Sequence, residues 1–386
     1  MVKNGLDVLL AKKLKLVKGR KVGIITNPSG VSIGLEMNVD LLLRAGVKVT
    51  AIYSPEHGFR GAAKEGEKIE SYTDTKTGLP VYSLYGANQK PSAEILKDIE
   101  VLIFDLADAG ARFYTFISTL LNALAAAKEA GKSLLVLDRP NPINGVAVEG
   151  NVLDMKFTSF VGSSPIPIRH GMTMGELALF YNQEMPNRDN PINADLTVVK
   201  AEGWQRKMWF DETGLQFIPP SPNMPTPDSA LVFPGLCFIE GINVSEGRGT
   251  TRPFEWFGAP WIDNEALTEA LNKLDLPAVK FRPQYFTPHY SKYKEELCAG
   301  VQAHIMDRDK FNAPLIGLYV IKTIHDMYLD KIQWIKYTNY FFDLLLGTDK
   351  VRLAIDRNQS LPDILADWKQ QVKQFNAIRK KYLIYE

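Results

Sequence analysis

The stretch VLIFDLAD (101–108) opens with an apolar run that leaves no side for water. A strand with one wet face alternates polar and apolar residues. A strand without that alternation is buried on both faces, which restricts the chain to a sheet covered by helices on two sides. SLLVLDRPN (133–141) is a second run of this kind. KVGIITN (21–27) and VKVTAIY (47–53) read as further strands, and VYSLYG (81–86) as a short one. Residues 35–45, 92–98 and 113–130 carry helical spacing. The order β-α-β-(β)-α-β-α-β predicts an α/β fold, a Rossmann-like doubly wound, mostly parallel sheet. A helix over 172–185 follows a capping box of Thr173 and Glu176, and LTVVK (196–200) reads as one more strand.

The 386 residues exceed what one core usually organises, so two domains are expected. Six prolines fall between 219 and 234. Such a stretch is too stiff for a helix and too poor in donors for a central strand, and it reads as an ordered crossing between domains. The expected division is a Rossmann-like catalytic domain over 1–224 and a smaller α+β C-terminal domain over 225–386 that completes a cleft. In the latter, 265–275, 312–329 and 361–382 read as helices and 301–307 as a strand.

Composition narrows the partners. Hydrophobic residues make up 45% and charged ones 23%, as in soluble globular proteins. With 45 basic and 44 acidic residues, nothing points to nucleic acid or an anionic membrane surface. No apolar run approaches a membrane span. Cys237 and Cys298 lack metal-ligand spacing and are expected as buried thiols. The opening MVKNGLDVLLAKKLKLVKGRK lacks the apolar core and cleavage site of a secretion signal, which predicts a cytoplasmic chain or a mature form.

In open α/β sheets the binding crevice lies beyond the carboxyl ends of the strands. The first strand delivers Asn27 there. The second delivers Glu56, His57 and Arg60 on a Gly/Pro-punctuated turn. The 101–108 strand delivers Asp105, Asp108, Arg112 and Tyr114, and the 133–141 strand delivers Asp138, Arg139 and Asn141. No G-x-G-x-x-G, phosphate loop or G-x-S-x-G elbow accompanies them, so the expected site holds neither cofactor nor metal. Glu56, between Pro55 and the His57 imidazole, is the leading general acid, since desolvation raises a carboxyl toward the range such a group needs. The competing reading is a structural glutamate paired with Arg60. His57 reads as a hydrogen-bonded supporting group, Glu67 as a cleft or loop carboxylate, and His170 as a cleft or helix-entry histidine. In IEGINVSEGRGTTRPFEWFGAP (239–260), Glu246, Arg248 and Thr250 crowd between Gly241, Gly247 and Gly249, with Trp256, Phe257 and Trp261 following. Glycines allow close approach of backbone to a ligand, and aromatics give flat faces for sugar rings.

Taken together, ITNPSG, SPEHGFRG, TGLPVYSLYG, FDLADAGARFYTFISTL, VLDRPNPINGVAVEG, PIPIRHGMTMGELA, LTVVKAEGW, PSPNMPT (with Asn223) and EGINVSEGRGTTRPFE resemble the exo-β-N-acetylmuramidases. These are exo-acting bacterial peptidoglycan hexosaminidases, long catalogued as a domain of unknown function. The resemblance runs from about residue 5 to the end. It implies a two-domain cleft that releases terminal N-acetylmuramic acid (MurNAc) from the non-reducing end of cell-wall fragments, with the glutamate of the P-E-H-G motif, here Glu56, as catalytic residue. It also implies a secreted, cell-wall or periplasmic setting. The sequence departs at Glu65-Gly66-Glu67, where many relatives have Ala-Gly-Glu or Ala-Gly-Asp.

Glycoside hydrolysis needs an acid at the leaving oxygen and a second group below the ring. Asp105, Asp108, Glu67, Glu246 and the substrate's own acetamido group all remain open for the second role. MurNAc bears a lactyl carboxylate, whose natural partner is a guanidinium. Arg112, Arg248 and Arg60 are the candidates, in that order. Two other classes stand beside this one: a sugar-binding module without catalysis, and a nucleotide- or phosphosugar-using enzyme. Peptidoglycan fragments are the expected partners, and the chain is expected as a monomer or dimer.

Overall fold

The computed structural model describes residues 1–61, 70–86, 88–184 and 191–386. The first half runs α1 (Gly5–Val8), β1 (Lys21–Thr26), α2 (Asn38–Arg44), β2 (Lys48–Ser54), β3 (Tyr72–Thr73), β4 (Pro80–Ser83), α3 (Ala93–Leu96), β5 (Val101–Asp105), α4 (Phe116–Glu129), β6 (Ser133–Leu137), β7 (Glu149–Val152), β8 (Pro167–Arg169), α5 (Met174–Glu184) and β9 (Leu196–Val199). The second half runs α6 (Pro227–Leu236), β10 (Trp256–Ala259), α7 (Asn264–Lys273), β11 (Val279–Phe286), β12 (Cys298–Ile305), α8 (Ala313–Met327), α9 (Phe341–Leu346), α10 (Lys350–Asp356) and α11 (Leu361–Arg379).

Seven strands form one sheet in the order β3-β4-β2-β1-β5-β6-β9. All neighbours pair in parallel except β3 with β4. Counting only the parallel strands, the spatial order is third-second-first-fourth-fifth-sixth, the Rossmann order, with its switch point between β1 and β5. The apolar runs are explained by two cores. Leu102 and Phe104 of β5 and Leu134 and Val136 of β6 enter one, while Val101, Ile103, Leu135 and Leu137 enter the other. Every side chain of β5 therefore loses its contact with water, and alternation has no role to play.

The switch-point crevice is narrowed by the protein itself to a cavity of about 40 Å³. Arg139 clamps Asp105 through Nε at 2.6 Å and Nη2 at 3.1 Å. Asn38 Nδ2 donates to Asp105 Oδ2 at 2.7 Å, and Asn27 Nδ2 donates across to the Pro220 carbonyl at 2.8 Å. The chain before α6 thus lies over the crevice, and a roomier cavity opens toward β2, α4 and the second half.

That Pro-rich stretch departs from expectation. Residues 227–236 are helical, with Thr226 capping through Oγ1 to Ser229 N, Pro227 at the first turn and Pro234 near the end. Proline at the first turn forfeits no intrahelical donor, and Pro234 lies so close to the C-terminus that few turns remain to be disrupted. α6 packs on α8 through facing glycines. A Cβ on Gly235 would stand 1.8 Å from the Ala313 carbonyl oxygen, and one on Gly317 would stand 2.3 Å from that of Gly235. The second half adds a three-stranded sheet, β10-β12-β11, that the sequence patterning read only in part. Its core is continuous with the α4 face of the large sheet, as in the edge contacts of Phe113 and Tyr114 with Phe233 at 5.2 and 5.9 Å. The C-terminal tail returns to the first half, where the Tyr385 hydroxyl donates to Asp138 at 2.6 Å. Both cysteines are free and buried. Among the described residues, no helix is long and apolar enough to cross a membrane.

Candidate active site

Glu56 sits on the turn that ends β2. The Gly58 amide donates to the Pro55 carbonyl at 3.1 Å, which makes Glu56 and His57 the central residues of a β-turn. His57 takes φ 72°, a conformation glycine usually occupies at that position. Phe254 and Ser291, from the second half, also take left-handed φ values of 65° and 72°. Each such residue costs about 1–3 kcal/mol, and strain of this kind collects where function over-determines the backbone. All three line one cavity, together with Glu56.

The cavity holds about 580 Å³. The first half contributes Glu56, His57, Tyr85, Phe113, Tyr114, Thr115 and Phe160; the α6 approach contributes Ser221 and Asn223; the second half contributes Phe233, Glu240, Glu246, Arg248, Phe254, Lys292, Tyr337 and Phe341. Its character is aromatic walls with a charged floor, the balance expected of a sugar site. Glu56 is held by Thr115, whose Oγ1 donates to Oε2 at 2.7 Å. On the opposite side, Arg248 donates to Glu240 Oε1 from Nε at 2.9 Å and Nη2 at 2.6 Å, and lies 3.4 Å from Glu246 Oε1. Lys292 Nζ lies 3.1 Å from Glu246 Oε2. Burial pushes the Glu240 carboxyl above its ordinary range; Arg248 opposes that and the Glu246 charge adds to it. The Tyr114 hydroxyl is buried in the wall, with Ser221 as polar neighbour, and burial raises its phenol far above the ordinary value, so it is a neutral donor.

The loop that carries these charges is closed on itself. Phe254 N donates to the Glu246 carbonyl at 2.7 Å, and Ser245 and Gly258 exchange a reciprocal pair of backbone bonds. Its glycines serve that closure. A Cβ on Gly247 would meet the Trp256 carbonyl oxygen at 2.5 Å, and one on Gly249 would meet the Tyr290 backbone at 2.7 Å. They make room for neighbouring backbone, not for a ligand. The tryptophans also turn away: Trp256 packs on Phe286 at 5.9 Å, and Trp261 Nε1 donates to the Tyr293 hydroxyl at 3.0 Å. The aromatic side chains that line the cavity are Tyr85, Phe113, Tyr114, Phe160, Phe233, Phe254, Tyr337 and Phe341 instead.

Of the residues singled out by sequence, Glu56, His57, Tyr114, Asn223, Glu246 and Arg248 meet at this cavity. Asn223 Oδ1 accepts from the Tyr290 hydroxyl at 2.7 Å. The other described candidates are not among its lining residues. Arg112, first choice for the lactyl carboxylate, is 1% exposed and donates to the carbonyls of Asn151, Ile166 and Leu345 at 2.7–2.9 Å. It ties β7, β8 and the end of α9 together, and burial pulls its guanidinium down to about 9. Arg60 pairs with Asp74 at 2.8 Å. Asp105 belongs to the Arg139 clamp described above. Asp138 accepts from Gly175 N and Thr173 Oγ1, both at 2.7 Å, anchoring the start of α5. Asn141 Nδ2 donates to the Met172 carbonyl, and Asn27 is spent on Pro220. Thr250 Oγ1 donates to the Gly247 carbonyl within its own loop. His170 is fully buried; its Nδ1 accepts from Met172 N, and its Nε2 lies 3.1 Å from Asp108 Oδ2. Glu67 lies outside the described residues.

Glu240 and Lys292 escaped the sequence reading. Glu240 stands inside the glycine-rich segment, where it looks like one more loop charge. Lys292 sits in HYSKYKEE, which reads as a solvated charge run, and no glycine or asparagine marks the left-handed turns at Ser291 and Tyr293.

Comparison with known proteins adds a finding for each half. Residues 22–228 match the family model described as exo-beta-N-acetylmuramidase NamZ, N-terminal, and residues 231–385 match its C-terminal counterpart. The chain is 50% identical over 385 residues to the peptidoglycan beta-N-acetylmuramidase NamZ of Bacillus subtilis (strain 168), covering 100% of this chain and 91% of that one. Two crystal structures of DUF1343 family proteins from Bacteroides fragilis NCTC 9343 superpose on it. One gives a TM-score of 0.91 at 41% identity and the other 0.78 at 34%, each covering 100% of this chain and 99% of its own.

Proposed function

This chain belongs to the family of NamZ exo-beta-N-acetylmuramidases, and from that premise we propose that it is a glycoside hydrolase acting on peptidoglycan fragments. It releases terminal β-linked MurNAc from the non-reducing end, with Glu56 as general acid. The observation that carries this reading is that Glu56 and the Glu246–Arg248 segment, from opposite halves of the chain, line one cavity of about 580 Å³.

In the reaction, the bond between C1 of MurNAc and the glycosidic oxygen breaks. Glu56 passes its proton to the departing oxygen, so the leaving sugar departs as an alcohol. Positive charge grows on C1 and the ring oxygen, and a carboxylate nearby stabilises it. Glu246 is our choice for that group, because Asp105 is locked in the Arg139 clamp and Asp108 is buried beside His170. Water supplies the hydroxyl that C1 finally carries. The Thr115 hydrogen bond aims the Glu56 carboxyl, and the aromatic walls exclude solvent.

Arg248 is our choice for the lactyl carboxylate. Among the arginines proposed from sequence, it alone lines the cavity. The ionisable groups of the cavity include Glu56, Glu240 and Glu246 against Arg248 and Lys292, so an anionic sugar is accepted only where a cation is aimed at it.

The test is product analysis by mass spectrometry with a MurNAc-GlcNAc disaccharide and the two para-nitrophenyl glycosides. MurNAc release from the disaccharide and from its aryl glycoside, with the GlcNAc glycoside left intact, supports the reading. Saturable MurNAc binding without release would make the chain a sugar-binding protein instead.

A further inference from the structure

Lys292 enters the cavity from the segment between β11 and β12, flanked by Ser291 at φ 72° and Tyr293 at φ 56°. Neither neighbour is a residue that favours the left-handed region, so the backbone is held there by its surroundings. The ammonium lies 3.0, 3.3, 2.8 and 2.9 Å from the carbonyl oxygens of Ile239, Glu240, Ile242 and Val244. Glu246 Oε2 is a fifth oxygen, at 3.1 Å. An ammonium has three protons to donate, so hydrogen bonds alone do not account for five oxygens; its charge holds the cage together. The carbonyls belong to the end of the 3₁₀ turn Cys237–Gly241 and to the strand-like residues that lead into Glu246. One cation therefore hydrogen-bonds the backbone that carries Glu246 and faces the far oxygen of its carboxylate as an ion pair. Arg248, the other cation near Glu246, stands closer to Glu240 than to Glu246.

We propose that Lys292 is a positioning residue for the hydrolysis, fixing the Glu246 carboxylate against the sugar ring. This rests on the reading of Glu246 as the second carboxylate. Lys292 makes no bond to the substrate in this account and acts through Glu246 alone.

A double-mutant cycle separates this from a purely structural role. Steady-state kinetics with an activated aryl MurNAc glycoside are measured for the wild type, Lys292→Gln, Glu246→Gln and the double variant, with a thermal melt for each. Glutamine keeps N–H donors for the carbonyl cage while removing the charge. Lys292→Gln is expected to lower kcat about tenfold or more with little change in KM, and to have an effect within about twofold in the Glu246→Gln background. An equal loss in both backgrounds overturns the proposal, as does a loss confined to KM or to the melting temperature. If Glu246→Gln itself keeps wild-type kcat, the error lies in the role given to Glu246, and the proposal falls with it. Lys292→Met, of similar length, repeats the cycle if the glutamine variant does not fold. Failure of both to fold assigns the lysine to the fold alone and also overturns it.

Discussion

Thr115 stands at the entrance to α4, where a threonine hydroxyl ordinarily accepts from the first turn; here it instead donates to Glu56 Oε2 at 2.7 Å. Thr115 itself has helical dihedrals, φ −63° and ψ −17°, so its hydroxyl is not placed to cap, and a residue from the end of β2 gains a fixed orientation from it. α4 is anchored by Phe116, Ile117, Leu120 and Leu124 in the larger core, so the donor is as rigid as the sheet beneath it.

Glu56→Gln is expected to fold with an unchanged melting temperature and to lose at least about 100-fold in kcat on a MurNAc-GlcNAc disaccharide, the share general-acid catalysis usually supplies. Thr115→Val keeps the branched shape and deletes the donor, with an expected loss of about tenfold, while Thr115→Ser stays within about threefold. Steady-state kinetics with melts of all three variants check the set. A Thr115→Val enzyme as fast as wild type removes the hydrogen bond from the account.

Arg248→Lys keeps the charge and loses the planar fork. The expected result is a MurNAc preference over GlcNAc reduced by about 1–2 kcal/mol, the loss of one charge-assisted bond of the fork, expressed mainly in KM for the MurNAc glycoside. Competition between the two aryl glycosides measures it directly. Unchanged discrimination assigns the lactyl carboxylate to another group.

Asp105→Asn separates structure from chemistry. The Asp105–Arg139 pair is buried at 0% and 7% exposure, and halving it leaves an unmatched cation inside the crevice. A loss of about 3 kcal/mol in chemical denaturation is expected, with kcat of the folded protein little altered. A stable but inactive variant would return Asp105 to the list of catalytic groups.

The Arg60–Asp74 pair carries a pH signature. Burial alone would push the Asp74 carboxyl up, but hydrogen bonds from Arg60 and Thr77 outweigh it and hold it below its ordinary 3.8. A carboxyl depressed in the folded state stabilises the protein above its unfolded value and loses that contribution as pH falls through the folded one. Melting curves of wild type and Asp74→Asn should therefore differ by a constant amount near neutrality and converge as the pH drops below 3.8. A gap that persists into acid contradicts the assignment.

The sheet was legible because burial on two faces leaves an unbroken apolar run that few other structures accommodate, as Leu102 and Ile103 illustrate by feeding opposite cores. The second half was less so. Glycine and proline at Gly258 and Pro283 interrupt the sequence pattern of its strands without breaking the strands themselves, and α6 hides among prolines whose positions at the two ends of the helix are what make it tolerable. At the site, residues on the β2 turn were readable because a strand end points to one place. Arg112 and Asp138 were not, since a strand end also supplies the polar groups that anchor the next helix or tie down an edge, and sequence does not distinguish these uses. Lys292 depends on a contact between residues more than forty positions apart, held by backbone turns without a compositional mark.

The central claim is that Glu56 protonates the departing sugar, and its most direct test is the leaving-group dependence of Glu56→Gln. From a dinitrophenyl MurNAc glycoside the leaving group departs as the phenolate without a proton, whereas the leaving sugar of the natural disaccharide needs one. The account predicts a loss of about 100-fold or more on the disaccharide and a much smaller loss on the dinitrophenyl substrate. Equal losses on both, or near-normal turnover of the disaccharide, would contradict it.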